Sequence, residues 1–413
     1  STQGSTPIFD HCTFINNKAW AGGAMYLAGG NPYDRGIEFD HCRFEGNYAE
    51  AQGGVIYFYN TIGKETIDFV GCTVTKNNCM SFGSFFHYFK TGNNFFFLKI
   101  DSCDISSNMP NASSLIYLEP LVSQFKTKFV ISNSTIADNK VSHPDPNGYN
   151  ALIVINNSNY IGYTDTIIIS KNVFSNNSGN YGSYLEAGFM EVNNNLISNS
   201  TGFAFIGKNV GVSNNVIVNC KGTQVGKFSG SNSKGIVKNN IFMSQNPFPG
   251  LVTSMGTSFG TGNPILGDTL FILNNIFWKN KIGILQGYNS IDSILAVNIL
   301  SNNIFLQNET IIKQNNSPQG YPGENFAYFS HNLMDKYCTG LSDRVICGPG
   351  NIPSLDALII DATALNFHLQ PCSQAINKGN NALLSQLEIL QDLEGNPRIS
   401  EGTVDIGPYE SPG

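Results

Sequence analysis

Phe9-Asp-His-Cys-Thr-Phe14 is repeated as Phe39-Asp-His-Cys-Arg-Phe44, and two looser copies follow at Phe69–Val74 and Ile100–Ile105. The cysteines of these four copies lie 30, 30 and 31 residues apart. Repetition at such a period is typical of a solenoid, in which each repeat buries its apolar face only against its neighbours. These copies therefore predict a stacked, repetitive architecture.

The repeat continues along the chain without cysteine. There an asparagine followed by two apolar residues holds the same phase, in copies that lie 20 to 35 residues apart. The copies are Asn172-Val-Phe174, Asn195-Leu-Ile197, Asn215-Val-Ile217, Asn240-Ile-Phe242, Asn275-Ile-Phe277, Asn303-Ile-Phe305 and Asn332-Leu-Met334. A coil of short strands accommodates this variation, because insertions extend the outer loops and leave the strands stacked.

Polar and apolar residues alternate with a period of two inside the copies, and β-branched and aromatic residues abound, which is typical of strands. We therefore predict an all-β fold, a right-handed single-stranded parallel β-helix of about twelve coils over residues 1–352. The last coil of such a helix exposes an apolar end and unpaired strand edges. We expect residues 353–413 to form a C-terminal cap, continuous with the helix, that folds over this end.

The chain has nine cysteines, and exported proteins often contain disulfides. We predict that the four repeating cysteines are buried free thiols, since parallel stacked side chains suit the disulfide dihedral poorly. These four are Cys12, Cys42, Cys72 and Cys103. Cys338 and Cys347 flank a short loop and are the disulfide candidates.

Two parts of the chain resemble known families. Phe14-x-x-Asn17 with Gly22-Gly23-Ala24, and the next copy of both, resemble the paired motifs of chlamydial polymorphic outer-membrane proteins. Three C-terminal motifs are similar to the closing segment of choice-of-anchor Q domain proteins, which are common on the surface of Bacteroidota. They are Cys372-Ser-Gln-Ala-Ile-Asn377, Asp392-Leu-Glu-Gly-Asn-Pro-Arg398 and Val404-Asp-Ile-Gly-Pro-Tyr-Glu410. Both resemblances imply export and a β-helix, but no single activity.

The formal net charge of −7 argues against nucleic acid and anionic membrane surfaces as partners. The sequence has no apolar run of about 18 residues, so we expect no membrane-spanning segment. Together with the implied export, this predicts a bacterial protein that is secreted or held at the cell surface after a leader is removed.

The repeat also aligns acidic and imidazole side chains that are candidates for chemistry. The candidate catalytic residues are Asp10, His11, Asp40, His41 and Arg43, and the candidate calcium ligands are Asp10, Asp40 and Asp101. Carboxylates one coil apart could share a cation, and a neighbouring imidazole could act as a base. The competing interpretation is a polar turn position. Repetition favours it, because a catalytic group is needed once and a structural group in every coil.

Four carboxylates of the C-terminal segment have a similar pair of interpretations. They either gather around a cation or cap turns and pair with Arg398, and we favour the second. These residues are Asp392, Glu394, Asp405 and Glu410.

Many β-helices of this shape cleave polysaccharides, which requires a base or two carboxylates at the scissile bond. The chain lacks the arginine-rich strand end of pectate lyases and the Asn-Thr-Asp, Asp-Asp and Gly-His-Gly motifs of polygalacturonases. The sequence therefore favours a non-catalytic protein. If it is an enzyme, a polysaccharide lyase or a glycoside hydrolase is expected.

Glycine or serine recurs at one phase of the first four coils, at Gly23, Gly53, Gly83 and Ser114. If the positions in line with Met25, Val55 and Phe85 point inward, the next residues form an outward stripe of Tyr26, Ile56, Phe86 and Tyr117. We predict that Tyr26, Phe86 and Tyr117 bind carbohydrate, since sugars stack on flat rings. The alternative is that a loop or a partner covers this stripe. The insertion Asn246–Asp268 would wall such a groove or form a surface loop.

These observations favour a secreted or cell-surface module that binds a polysaccharide or surface glycan, or that acts in adhesion. A polysaccharide-cleaving enzyme is the first alternative, and a purely structural stalk is the second.

Overall fold

A computed structural model describes residues 7–28, 35–60, 64–90, 95–108, 114–120, 126–141, 151–155, 165–179, 183–221, 223–227, 234–244, 249–255, 269–286, 296–314, 325–341 and 344–412. Helix within these residues is confined to the 3₁₀ turn Ala362–Ala364 and the α-helix Asn381–Gln386. None of the described helices has the length and apolarity needed to cross a membrane. The chain forms two compact units, residues 1–207 and 208–413, and their boundary falls inside the strand Phe203–Ser213.

Each coil of the first unit contributes short strands to the faces of the helix, and each face is a sheet of parallel strands. We number the faces one to four in chain order. The first face contains Ile8–Asp10, Arg35–Asp40, Glu65–Val70, Phe95–Asp101, Lys126–Ser132, Thr166–Ser170 and the end of Ser183–Asn193. The second face contains Thr13–Ile15, Arg43–Glu45, Thr73–Thr75, Asp104–Ser106, Thr135–Ala137, Val173–Ser175 and Leu196–Ser198. The third contains Lys18–Ala19, Tyr48–Ala49 and Asn78–Cys79. The fourth contains Met25–Ala28, Ile56–Asn60, Phe86–Lys90, Ile116–Pro120, Ile153–Ile155 and the start of Ser183–Asn193.

The second unit repeats this plan. Its first face contains Lys234–Lys238, Thr269–Leu273, Ala296–Ser301, Asn325–Ser330 and Val345–Cys347. Its second face contains Val216–Val218, Ile241–Met243, Ile276–Trp278, Ile304–Leu306, Leu333–Met334 and Ile352–Pro353. Its fourth face contains Thr223–Lys227, Pro249–Met255, Ile282–Gln286 and Thr310–Gln314.

Strands of successive coils pair in parallel and in register, so that equivalent side chains stack inside the coil. Phe39 stacks on Phe69 with ring centroids 5.0 Å apart, and Phe277 stacks on Phe305 at 4.8 Å. The predicted parallel β-helix is therefore confirmed. The second faces described above hold seven and six strands in the two units, against about twelve coils predicted.

A residue with left-handed backbone geometry turns the chain from the first face into the second. His41, Asn133 and Asn274 hold this corner with φ of 49°, 50° and 56°. Residues other than glycine rarely adopt this conformation, and asparagine is among those that tolerate it best. The corner thus explains part of the chain's preference for asparagine.

The residue after each corner is buried and satisfies the backbone of the turn. Asn275 Nδ2 donates to the Val237 and Leu273 carbonyls at 2.9 and 3.0 Å and to Asn303 Oδ1 at 3.0 Å. Its Oδ1 accepts from the backbone N–H and from Nδ2 of Asn240, at 2.9 and 3.0 Å. The recurring asparagines therefore form a hydrogen-bonded ladder, which uses every polar atom of the Asn275 amide.

A second amide ladder lies at the corner between the second and third faces of the first unit. Asn47 Nδ2 donates to Asn77 Oδ1 at 3.0 Å and to the Phe14 carbonyl at 2.9 Å. The Phe-x-x-Asn motif of the sequence is therefore one stacked aromatic followed by one ladder amide.

Cysteine takes the ladder position in the first four coils. Cys42 Sγ donates to the Phe9 carbonyl at 3.1 Å, and Cys72 Sγ donates to the Phe39 carbonyl at 3.2 Å. All four repeating cysteines are free thiols; Cys12 is half-buried and the other three are buried. Burial raises the pKa of Cys42 to about 11, so this thiol stays protonated near neutral pH. A disulfide joins Cys338 to Cys347.

The C-terminal segment covers apolar surface along the side of the second unit's second face. Its strands Ile359–Asp361 and Asn366–Leu369 pair antiparallel. Five of its buried apolar residues pack against outward residues of six second-face strands, from Val216–Val218 to Ile352–Pro353; they are Ala357, Phe367, Ala375, Ile406 and Tyr409. The prediction had this segment over the end of the last coil. The segment lies along the side because the outward residues there are apolar. The strands that begin at Ile241, Ile276 and Ile304 are buried on both faces of the sheet.

We expect Asn275→Ala to lower the free energy of unfolding by about 2–4 kcal/mol, because each buried partner left unsatisfied costs about 1–3 kcal/mol. Chemical denaturation followed by circular dichroism measures this loss. The control is Asn209→Ala at an exposed position of a strand, which should change stability by less than about 0.5 kcal/mol. Equal effects of the two variants would show that the ladder amide is dispensable.

Candidate functional site

The two Asp-His copies lie side by side at the left-handed corner. His11 Nδ1 is 2.5 Å from Asp10 Oδ1, and His41 Nδ1 is 2.7 Å from Asp40 Oδ1. The two imidazoles stack with centroids 5.2 Å apart and planes 9° from parallel. In the next coil the corner is Gly71, where an added Cβ would come within 2.9 Å of the His41 ring. This arrangement is a short exposed stack of paired side chains that ends at a glycine.

The candidate calcium ligands are not brought together. Asp10 pairs with Asp40, Asp40 pairs with Val70, and Val70 pairs with Asp101, so a valine coil separates the last two carboxylates. The described ranges contain no group of three or more His, Cys, Asp or Glu side chains arranged to hold a metal.

Asp101 and Arg43 are instead engaged locally. Asp101 Oδ1 accepts from Ser132 Oγ and Asn133 Nδ2, both at 2.8 Å. Burial raises the pKa of Asp101, but these two bonds and the nearby Lys99 ammonium together hold the pKa below its ordinary value. Arg43 bonds to Glu45 in its own strand. The residues named from sequence as catalytic thus have structural partners.

The predicted outward stripe is wrong at Ile56 and Phe86, which are fully buried in the core. Phe86 pairs with Ile56 and Ile116 on the inward row. The left-handed glycine corner before this face is Gly22, Gly53 and Gly83, with φ of 64°, 67° and 66°. Gly23, which the prediction aligned with Gly53, comes one residue later. The register shifts because the second coil has one more residue than the first between the third face and this corner.

The outward side of the fourth face in the first unit carries two rows of side chains, which we name the aromatic platform. The first row is Tyr26, Tyr57, His87 and Tyr117, and the second row is Tyr59, Phe89 and Glu119. Tyr26 and Tyr117 were predicted, but Tyr117 is buried beneath Phe82 instead of open to a ligand. The remaining members follow from the observed register.

Rings of the platform contact one another from coil to coil. The centroids of Tyr26 and Tyr57 are 5.3 Å apart, and those of Tyr59 and Phe89 are 5.7 Å apart and nearly parallel at 13°. Tyr26 is 53% exposed, and Tyr57, Tyr59 and Phe89 are half-buried. The platform therefore presents flat ring surface to solvent over at least three coils.

The far end of the platform is closed and contains a buried histidine. The His87 side chain is fully buried, with its ring 5.2 Å from Tyr57 and 5.3 Å from Tyr117. Phe82 packs on Tyr117 with centroids 4.6 Å apart. Burial lowers the pKa of His87, although the nearby Glu119 opposes this effect, so the imidazole is neutral at pH 7.

Polar atoms at this end are incompletely paired. Neither ring nitrogen of His87 has a hydrogen-bond partner, and Glu119 Oε2 lies 3.7 Å from Nε2, beyond bonding distance. The Glu119 side chain is 33% exposed and is the platform's carboxylate. Burial raises the pKa of Tyr57, and the fields of Tyr26, Tyr59 and Glu119 add to that rise. The platform thus combines apolar ring faces with an accessible carboxylate, as sugar sites do.

A second outward group lies on the first face of the same unit. Glu38, Asp68 and Lys99 occupy one row in three successive coils. Asp68 Oδ1 is buried without a hydrogen-bond partner. Burial raises the pKa of Asp68, while Lys99 opposes the rise and Glu38 adds to it. Asp68 was not among the sequence candidates, because a single carboxylate in a strand gives no signal until the register is known.

The predicted insertion Asn246–Asp268 falls mostly outside the described residues. Its described part is the strand Pro249–Met255 on the fourth face of the second unit.

Three of the four C-terminal carboxylates, Asp392, Asp405 and Glu410, act on Arg398, whose side chain is 1% exposed. The fourth, Glu394, instead pairs with His368 at 3.2 Å. The Arg398 guanidinium donates to the Asp405 carbonyl at 3.2 Å, and Nη1 lies 3.8 Å from Glu410 Oε2. Asp392 accepts from the backbone N–H groups of Glu394 and Asn396 at 2.9 and 2.8 Å. The interpretation as turn caps and a salt bridge therefore holds.

Burial raises the pKa of Glu410 to about 8, although Arg398 opposes the rise. The pKa of Glu410 is thus higher in the folded protein than in the unfolded chain. Its contribution to stability is therefore present at low pH and is lost as pH rises through the folded pKa. We expect the melting temperature to fall between about pH 5 and pH 8, and the fall to be smaller in Glu410→Gln. Glu309→Gln, at an exposed position, is the control and should keep the wild-type slope. An unchanged slope in Glu410→Gln would rule out this group.

No model of a known protein family matches the chain, and no curated protein matches its sequence. Among solved structures the chain is similar to pectate lyase Pel9A, with 13% identity and a TM-score of 0.41, over 92% of this chain and 88% of that one. It is also similar to a PL6 alginate lyase in complex with a trisaccharide, with 12% identity and a TM-score of 0.32, over 85% and 78% of the two chains. The parallel β-helix is established by the strand pairing of this chain itself.

Proposed function

We propose that this chain is a non-catalytic glycan-binding module whose aromatic platform binds polysaccharide. The observation that carries the proposal is the pair of outward rows in which Tyr26, Tyr57, Tyr59 and Phe89 keep accessible ring faces. Exposed aromatic surface of this extent is a liability in a protein that binds nothing. Its repetition at the strand spacing of about 4.8 Å favours an extended ligand over a compact one.

Export to the cell surface is part of the proposal and is supported by the resemblance of the closing segment. Accessibility of the protein to protease on intact cells tests this part, and full protection of the protein would count against it.

We expect Tyr57→Ala to weaken polysaccharide binding roughly fivefold to tenfold, the scale of one lost ring contact. Affinity electrophoresis in gels that contain single polysaccharides measures the change as lost retardation. Tyr337→Ala is the matched control, because Tyr337 is 73% exposed in the second unit and lies outside the platform. Circular dichroism confirms that both variants fold. Equal retardation of the two variants would place binding elsewhere.

A second candidate function, glycoside hydrolysis, is favoured by Asp68. Hydrolysis requires one protonated and one ionised carboxyl group, about 5 Å apart in retaining enzymes. Glu38 and Asp68 lie in paired strands, whose spacing is about 4.8 Å, and burial raises the pKa of Asp68 towards that of an acid catalyst.

Release of reducing ends from a polysaccharide panel tests this candidate. Hydrolysis by the wild-type protein should fall at least about 100-fold in Asp68→Asn, as expected for loss of a general acid. Asp104→Asn, at an exposed position of the second face, is the control. If the wild-type protein releases no reducing ends, the binding module stands alone.

A further inference from the structure

We infer that the glycan bound by the aromatic platform is neutral, and that Glu119 selects it by accepting hydrogen bonds from its hydroxyl groups. This inference rests on the proposed function. It goes further by naming the class of sugar and the side chain that discriminates between classes.

Glu119 stands where the two rows meet the closed end. It follows Tyr59 and Phe89 in the second row, next to His87 of the first row. A sugar ring stacked on Phe89 would therefore have its edge directed toward this carboxylate. Because 33% of the side chain is exposed, its oxygens remain available to a ligand.

His87 leaves the acceptor capacity of Glu119 open. An ionised carboxylate accepts about four hydrogen bonds and donates none. The His87 Nε2 atom lies 3.7 Å from Glu119 Oε2, which is too far for a hydrogen bond. Sugar hydroxyls are donors, and bonds to a charged acceptor are about twice as strong as neutral ones.

The charge of the platform opposes an acidic ligand. Glu119 is its one formally charged side chain near pH 7, since His87 is neutral through burial and the other members are uncharged aromatics. A uronate carboxylate beside Glu119 would meet a like charge at short range, where screening by salt is incomplete.

A cation over an aromatic ring is found on another face of the same unit. Lys128 Nζ is 5.1 Å from the centre of the Phe97 ring, and both residues belong to the first face. An acidic polymer would therefore find cations on the first face and a carboxylate on the fourth. A neutral polysaccharide would therefore bind at the platform on the fourth face, and an acidic one would bind on the first face.

The test is affinity electrophoresis of the wild-type protein and four variants in gels that contain a neutral polymer or a uronate polymer. The neutral polymers are a β-glucan, a galactomannan and an arabinoxylan, and the uronates are polygalacturonate and alginate. The variants are Glu119→Ala, Glu119→Gln, Tyr57→Ala and Lys128→Ala. Each gel is run at low and at high salt, and circular dichroism verifies folding.

We expect at least one neutral polymer to retard the wild-type protein to the same extent at both salt concentrations. Glu119→Ala should weaken this binding about tenfold, as for a hydrogen bond to a charged group, and Glu119→Gln should weaken it less. Glu119→Gln should also reduce the preference for neutral over uronate polymers. Lys128→Ala should leave neutral binding unchanged.

Three outcomes overturn the inference. Stronger retardation by a uronate, abolished by Tyr57→Ala, means that the platform binds acidic glycans, and the proposed function survives. Neutral binding that is lost in Tyr57→Ala but unchanged in Glu119→Ala removes Glu119 from the site. Retardation by no polymer removes the proposed function together with the inference.

Discussion

Buried side-chain amides at left-handed corners are the interaction on which the rest of this structure depends. Each turn exposes backbone groups inside a close-packed coil, where an unpaired donor or acceptor costs about 1–3 kcal/mol. Asn275 satisfies such groups in its own coil and in both neighbouring coils at once. Asparagine repeated at this corner is therefore sufficient to hold successive coils in a stack. The loops between corners can vary in length without disturbing it.

The thiols of the early coils perform half of this task. A cysteine donates to the carbonyl of the preceding coil, as Cys72 does to Phe39, but the thiol is a weak donor and a weak acceptor. Where Ser134 and then Asn172 take over, the Asn172 amide supplies an acceptor to the Ser134 N–H at 2.9 Å. The exchange from cysteine to asparagine thus adds bonds between coils without changing the geometry of the corner.

The register that the ladders fix also determines which side chains face outward. Tyr57 and His87 reach the platform because Gly53 and Gly83 hold the left-handed corner four residues earlier. A single added residue between corners moves a whole strand by one position and exchanges its inward and outward faces. Which side chains the platform presents therefore depends on the length of each coil as much as on its amino-acid composition.

The fold was predictable from sequence because its determinants are local and repeated: the strand alternation, the asparagine after each corner and the Phe-x-x-Asn motif. The disulfide candidates were visible because Cys338 and Cys347 lie close together in the chain. The site was only partly predictable. Tyr26 and Tyr117 could be named, but counting from Gly23 misplaced Phe86, since one inserted residue is invisible without the neighbouring strand.

Long-range packing was the other feature that the sequence did not reveal. The strand Ile276–Trp278 consists of large apolar residues, which indicates burial on both sides. The sequence pattern does not indicate which segment covers its outward side. The C-terminal segment does so, through Phe367 and Tyr409. Likewise, the half-buried state of Asp68 follows from its neighbours in adjacent coils and not from its own strand.

A crystal structure of the protein with a bound neutral oligosaccharide would show directly whether the platform binds sugar. We expect sugar density over the Tyr57, Tyr59 and Phe89 rings, with a hydroxyl group within hydrogen-bonding distance of Glu119. Density confined to the first face beside Asp68 and Lys99, with the platform empty, would contradict this expectation.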